Sequence, residues 1–446
     1  MSARKAPQQI QPLSYRHRAR IAAVVFGMAM ASQAIADDQT QPGAGNANAV
    51  HLADSSPLVR SANQFLIGQA RKIRQASVRN QTLDILTNTH SCAKHRVGLA
   101  ADSAKDAVIA QLTAAGLVNP ADATSFPGGL RTAIFPPVLD ESSNCPQLPQ
   151  PFRSAPGSAF AGHHSYPGGL PVHVSNNDVS DVHLAAQYQS VYGNTAAHGL
   201  PQVDQDADED MSGRGDLAID NDTILAAPIW HDWAKSIVFQ WNADGSEFAE
   251  FNFGGAGSTD AWGAAGDSRT GAHHILSIAE AMSRGLPPLL VITQACAHSA
   301  PTSGNEYKVV NWLHAAAIIA RIDAVAAGYL DTDSAGHLRL PALDALGSID
   351  LTAAGQTNLR AEYTLHNLSD ADFTYSGPAV ASVAVVLAQL AAEFGYDAGD
   401  TARYNTAYRN PALSYLSAER LLIIYSDQGA NGVRRELRRL RGLHVI

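Results

Sequence analysis

The sequence predicts an all-α fold, and three observations carry that expectation. From about Pro57 to Leu117 apolar residues return at three- and four-residue steps, as in Leu58, Ala62, Phe65, Leu66 and Ala70, which is the spacing of one helix face. Val172 to Tyr192 reads as a helix closed by Gly193-Asn194. Val309 to Ala327 and Pro378 to Phe394 are apolar runs of helical length. No internal repeat is visible.

In chain order, residues 1–36 read as a secretory signal peptide. Arg16, Arg18 and Arg20 form a positive region, Ile21 to Ala31 a short apolar one, and Ala34-Ile35-Ala36 a small-x-small cleavage site. Cleavage near Ala36 and export, to a periplasm, are the expectation; an uncleaved N-terminal anchor is the alternative. Residues 37–155 form a helical N-terminal region that begins flexibly at 37–55 and ends in a Pro-, Gly- and Ser-rich connection at 120–160. Residues 156–330 carry the histidine motifs, and 331–446 a helical C-terminal region.

Within the central region, 194–216 interrupts the helices with Asp204, Asp206, Asp208, Glu209, Asp210 and Asp216. A calcium loop would need glycine where Glu209 stands and a bidentate acid where Gly215 stands, so a solvated acidic insertion is the reading. Arg214-Gly215-Asp216 is a chance triplet. Asp220 to Trp230 resumes as a helix. Ser236 to Trp241, a turn at Asn242-Ala243-Asp244-Gly245, and Phe248 to Phe253 read as a small β-hairpin insertion. Pro378 to Phe394 is uncharged until Glu393, yet its length and Gln389 favour a core helix over a membrane span.

The chain has 446 residues, 46% hydrophobic and 16% charged, as in an ordinary soluble globular protein. Loss of residues 1–36 removes five basic side chains and no acids, taking the net charge from −10 to −15. That balance argues against general nucleic-acid binding, which needs a basic footprint; a small phosphorylated substrate needs only a local one. Of three cysteines, Cys92 and Cys145 can pair in an exported protein. Cys296 lies in an apolar run and reads as a buried inert thiol, with a ligand role as the lesser alternative. The Arg434-Arg435-Glu436-Leu437-Arg438-Arg439 tail reads as the solvated basic end of a helix.

The most informative residues are His231 and Asp232, at the end of the apolar stretch Ala226 to Trp230. An imidazole can hold a divalent ion, and the adjacent carboxylate can bridge it to a second. Lys235 lies at i+3 and i+4 from the pair on a helix, so its ammonium reaches the same face and suits an anionic substrate such as a phosphate ester. Upstream stands Gly162-His163-His164-Ser165-Tyr166-Pro167-Gly168-Gly169-Leu170-Pro171-Val172-His173. Downstream come Gly271-Ala272-His273-His274-Ile275, Cys296-Ala297-His298-Ser299 and Ala320-Arg321-Ile322-Asp323-Ala324.

Taken in this order, these motifs resemble the HD superfamily of metal-dependent phosphohydrolases. The His-His-x-Tyr-x-Gly-Gly-Leu-x-x-His opening is similar to the branch with exonuclease-type and nucleotide-acting members. The resemblance covers roughly residues 160–330. It implies an HD helical bundle in which His173, His231, Asp232 and Asp323 hold one divalent ion. His274 (or His273) and His298 would hold a second, bridged by Asp232. Mn, Fe, Zn, Co or Mg would suit such ligands, as one ion or two. The resemblance also implies phosphomonoesterase or phosphodiesterase chemistry on a small phosphorylated substrate. There Lys235 neutralises the phosphoryl group and His163 and His164 touch the leaving group or another phosphate oxygen. An HD-type di-iron oxygenase and a non-catalytic metal-binding module are the alternatives. His183, His198 and His314 read as structural. No Gly-x-Ser-x-Gly elbow or Gly-Lys-Ser/Thr phosphate loop is present.

Overall fold

The computed structural model describes residues 41–196, 199–203, 217–254, 268–302, 304–342 and 359–446. The expected signal peptide, the acidic run from Asp204 to Asp216 and His198 lie outside these. The architecture is mostly helical, with two small two-stranded antiparallel sheets, Asn252–Phe253 with Thr270–Gly271 and Asp331–Thr332 with Leu338–Arg339.

The long helix that carries the first motif histidine runs from Gly169 to Tyr192, starting three residues before the sequence pattern predicts. Its start is fixed by two glycines. Gly168 has φ +81°, and a Cβ there would lie 2.4 Å from the Val59 side chain; a Cβ on Gly169 would lie 1.9 Å from the His164 carbonyl oxygen. Only glycine permits both the left-handed turn and the close approach. The turn puts His173 one turn inside the helix, facing the interior.

The helix Pro57–Lys72 packs against it. Ser56 caps this helix by accepting a hydrogen bond from the Val59 amide, Pro57 pre-sets its first turn, and Arg71 and Lys72 close it. The same Ser56 hydroxyl donates to the Ser414 carbonyl at 2.7 Å. Asn221–Trp230 is capped by Asp220, which accepts from the Thr223 amide at 2.7 Å, and Pro228 sits near its end. Proline cannot donate to the helix ladder, yet the helix continues to Trp230, and the His231 amide still donates to the Ala227 carbonyl at 3.0 Å.

The expected hairpin forms only at its tip. Asn242 to Gly245 makes the turn, with an isolated antiparallel bridge between Trp241 and Glu247. The first arm is instead a helical turn, Lys235–Val238, and Phe253 pairs with Thr270. The apolar residues of 236–239 are wholly buried, so packing overrides their strand propensity.

One hydrophobic cluster extends from Leu66 through the Trp230, Trp233 and Ile275 region to Leu340 and Tyr363. A second joins the helices Phe373–Leu390 and Ala418–Gly442 and includes Tyr166 from the motif loop. Phe373–Leu390 buries Ala379, Val380, Val383, Leu387 and Leu390 and exposes Phe373, Tyr375 and Val385. Residues 42–446 form one unit by internal contacts. Cys92 and Cys145 are disulfide-bonded, and Cys296 is a free, buried thiol.

Candidate metal centre

Four donor atoms from three separate elements converge beside the end of the Asn221–Trp230 helix. His173 Nε2 lies 3.1 Å from Asp232 Oδ2 and 3.3 Å from Asp370 Oδ1. His231 Nε2 lies 3.2 Å and 3.5 Å from the same two oxygens. Two ligands each about 2.1 Å from one ion stand about 3.0 to 3.4 Å apart for right-angle to tetrahedral geometry. His231 Nε2 is buried without an aligned hydrogen-bond partner, although carboxylate oxygens surround it. The spacing therefore fits a shared cation better than direct hydrogen bonds.

The other oxygen of Asp232 faces a different pair. Asp232 Oδ1 lies 3.4 Å from His273 Nε2, and Asp232, His273 and His298 have donor atoms all within 4.8 Å of one another. Asp232 Oδ1 and His273 Nε2 are also buried without hydrogen-bond partners. Asp232 thus stands between two groups of imidazoles, one at each oxygen.

The far side of three of the imidazoles is held. His231 Nδ1 is 2.8 Å from the Pro228 carbonyl, His273 Nδ1 is 2.5 Å from Glu250 Oε1, and His298 Nδ1 is 2.8 Å from Thr270 Oγ1. His173 Nδ1 faces Asp372 Oδ1 at 3.1 Å without an aligned hydrogen bond, and its Nε2 lies 3.3 Å from the Asn177 amide nitrogen. A partner at Nδ1 fixes the ring and leaves Nε2 to bind, the usual outer support of metal-bound histidines. Asn177, one turn beyond His173, donates to Asp370 Oδ1 at 2.8 Å and holds that carboxylate in place.

Electrostatics favour positive charge here. Burial alone would raise Asp232, but His231 and Lys235 hold it well below the usual carboxylate range; Asp370 is held down similarly by His231 and His173. Burial would lower His231, but Asp232 and Asp370 push it up to about 9. Lys235 donates to Asp232 Oδ2 and to the Gly157 carbonyl, both at 2.5 Å. It is the only Lys or Arg among the described residues lining the adjoining cavity of about 510 Å³. Buried carboxylates outnumbering fixed cations make a site that gains from binding a divalent ion.

The structure brings together His173, His231, Asp232, Lys235 and His298, and separates two other expected residues from them. Asp323 is exposed, and its Oδ1 accepts from the Val325 and Ala326 amides, capping its own turn; Asp370 stands where it was expected. The apolar helix before Asp323 ends at Ala320 with Arg321 in a left-handed conformation, which turns the chain outward. His273 rather than His274 faces Asp232. Neighbours on a helix diverge by about 100°, and His274 instead points to the Ala295 carbonyl at 3.1 Å and stacks on His298.

The two motif histidines also differ. His163 lines the cavity with its ring centroid 4.7 Å from His173. His164 lies behind, its Nε2 3.5 Å from Glu419 and 3.8 Å from Asp372. His183 is exposed and His314 half-buried.

Asp370, Asp372, Glu250 and His366 were not singled out from sequence. His366 is buried with its ring 5.0 Å from His231 and its Nδ1 3.3 Å from Asp181. One signal was available: His366 and Asp370 sit at i and i+4, directly before an uncharged helix, where an unpaired carboxylate would be costly. Comparison with family models, curated proteins and solved structures found no match, so the case for this centre stands on its residues and their geometry.

Proposed function

We propose that the protein is an exported, HD-type metal-dependent phosphohydrolase, a phosphomonoesterase or phosphodiesterase. The observation that carries the reading is the division of Asp232, one oxygen toward His173, His231 and Asp370 and the other toward His273 and His298. The orphaned Nε2 atoms and Asp232 Oδ1 fit divalent ions. His173, His231, Asp232 and Asp370 would hold one, and Asp232, His273 and His298 a second. Bound there, such ions polarise a phosphoryl oxygen and lower the pKa of a coordinated water.

The chain's own residues supply the rest. Lys235 places an ammonium at the cavity wall, where it would offset charge on the phosphoryl oxygens. Burial, with His173 and Lys235 nearby, holds His163 well below the usual imidazole range. It would therefore act as a neutral hydrogen-bond partner of a phosphate or leaving-group oxygen, not as an imidazolium acid. His164, set between Glu419 and Asp372, positions the loop. The disulfide supports an oxidising compartment.

The test is phosphate release from simple mono- and diesters by protein reconstituted with Mn, Fe, Zn, Co or Mg. Asp232→Ala should abolish turnover with the fold intact, and Lys235→Ala should lower kcat/KM by about a hundredfold or more. Substantial turnover in Asp232→Ala would contradict the reading. Oxygen uptake by the iron-loaded protein without phosphate release would favour an oxygenase instead.

A further inference from the structure

The cavity beside the centre has two unlike halves. Histidines, Lys235 and Asp370 line one part of it, and the exposed Leu368, Ala371 and Phe373 form an apolar rim on the 368–373 turn; Ser158, Asn367 and the buried Ala297 complete the lining. Leu368 and Phe373 are 49% and 53% exposed, and they flank Asp370 at two residues before and three after it. Single exposed apolar side chains are ordinary on a protein surface. Here two large ones converge on one opening, on the turn that carries a proposed ligand. The rim is tied in place by Asn367, which donates to the Ala297 carbonyl at 2.7 Å.

Charge limits what can enter. Among the described lining residues Lys235 is the only Lys or Arg, and it already serves Asp232 and Gly157. A second or third phosphate would meet no further Lys or Arg among the described lining residues, only the neutral Ser158 and Asn367 and the apolar rim. The volume of about 510 Å³ lies in the ordinary range for a small-molecule site.

We infer that the substrate carries a single phosphoryl group and a leaving group with an aromatic ring or a similarly flat apolar face, seated on Phe373 and Leu368. This rests on the phosphohydrolase reading for the phosphoryl end, while the rim argument stands on the cavity alone. Leu368 and Phe373 are then specificity determinants.

Non-hydrolysable probes separate the two claims. In metal-loaded protein, phenylphosphonate should bind about tenfold or more tightly than methylphosphonate, by calorimetry. That ratio should fall toward one in the Leu368→Ala/Phe373→Ala double variant, with metal content unchanged. With metal in excess, adenosine triphosphate should bind no more tightly than adenosine monophosphate.

Equal affinities for the two phosphonates, absence of binding by either, or a preference that survives in the double variant would overturn the inference. So would triphosphate binding tenfold tighter than monophosphate. A phenyl preference lost in the double variant, without hydrolysis of any ester, would leave the rim assignment standing and remove the phosphohydrolase reading.

Discussion

Asp232 and His231 are adjacent in sequence, directly follow the helix Asn221–Trp230, and turn polar atoms to one point, with the Pro228 carbonyl holding the His231 ring at Nδ1. The resulting field holds His231 up to about 9, so at pH 7 its imidazole carries a proton that a divalent ion must displace. His173 is raised as well; burial opposes the shift, and Asp372 leads the groups that drive it. Metal uptake at pH 7 should therefore release about one to two protons per ion, and affinity should rise with pH up to about 9. Calorimetric titration with metal in buffers of different ionisation enthalpy reads this directly; no proton release would contradict the assigned environment. The His231-Asp232-Lys235 unit was legible because its spacing is local. Asp370 was not singled out, since it lies 138 residues beyond Asp232, and its local i, i+4 spacing from His366 does not say which distant segment it meets.

Among the elements, the helix Ala272–Ser283 is anchored by a buried network as well as by apolar packing. Glu280 accepts from the Lys94 and His95 amides at 3.1 Å, faces His95 Nδ1 at 2.8 Å and pairs with Arg284 at 2.6 Å. Arg284 continues to Asp84 and to the Cys92 carbonyl. Burial would raise Glu280, but His95 and Arg284 hold it down to about 2. A depressed carboxylate contributes stability that is present above about pH 4.5 and lost as pH falls toward 2. Glu280→Gln should lower unfolding free energy at pH 7 by on the order of 3 kcal/mol and flatten the acid limb. Denaturant unfolding across pH 2–7 measures both; an unchanged acid limb would contradict the network. The helix Pro57–Lys72 was readable from its apolar spacing, and Gly169–Tyr192 from its Gly193-Asn194 stop, to within three residues at its start. The 236–239 arm was not, because β-branched and aromatic residues fill a buried helical turn as readily as a strand.

Across the whole molecule, the C-terminal region helps to build the site. Arg409 donates to the Ser165 carbonyl and hydroxyl, and Ser414 donates to the Pro167 carbonyl, clamping the loop that starts the His173 helix. Asp370, Asp372 and Glu419 also come from beyond residue 330, so the cluster unites segments from both sides of the boundary drawn from sequence. That union is a product of folding, and motif order within 160–330 does not reveal it. The Cys92–Cys145 bond closes a loop with a sequence separation of 53. Reduction should cost about 4 kcal/mol by chain entropy, read as a lower denaturant midpoint; an unchanged midpoint would mean the bond adds nothing.

The most direct measurement is metal content of the purified protein after reconstitution, compared with Asp370→Ala and Asp323→Ala. The wild type and Asp323→Ala should each hold one or two equivalents, and Asp370→Ala should hold one equivalent fewer while keeping its fold by circular dichroism. Metal fully retained in Asp370→Ala and lost in Asp323→Ala, or no metal in any of the three, would contradict the centre described here.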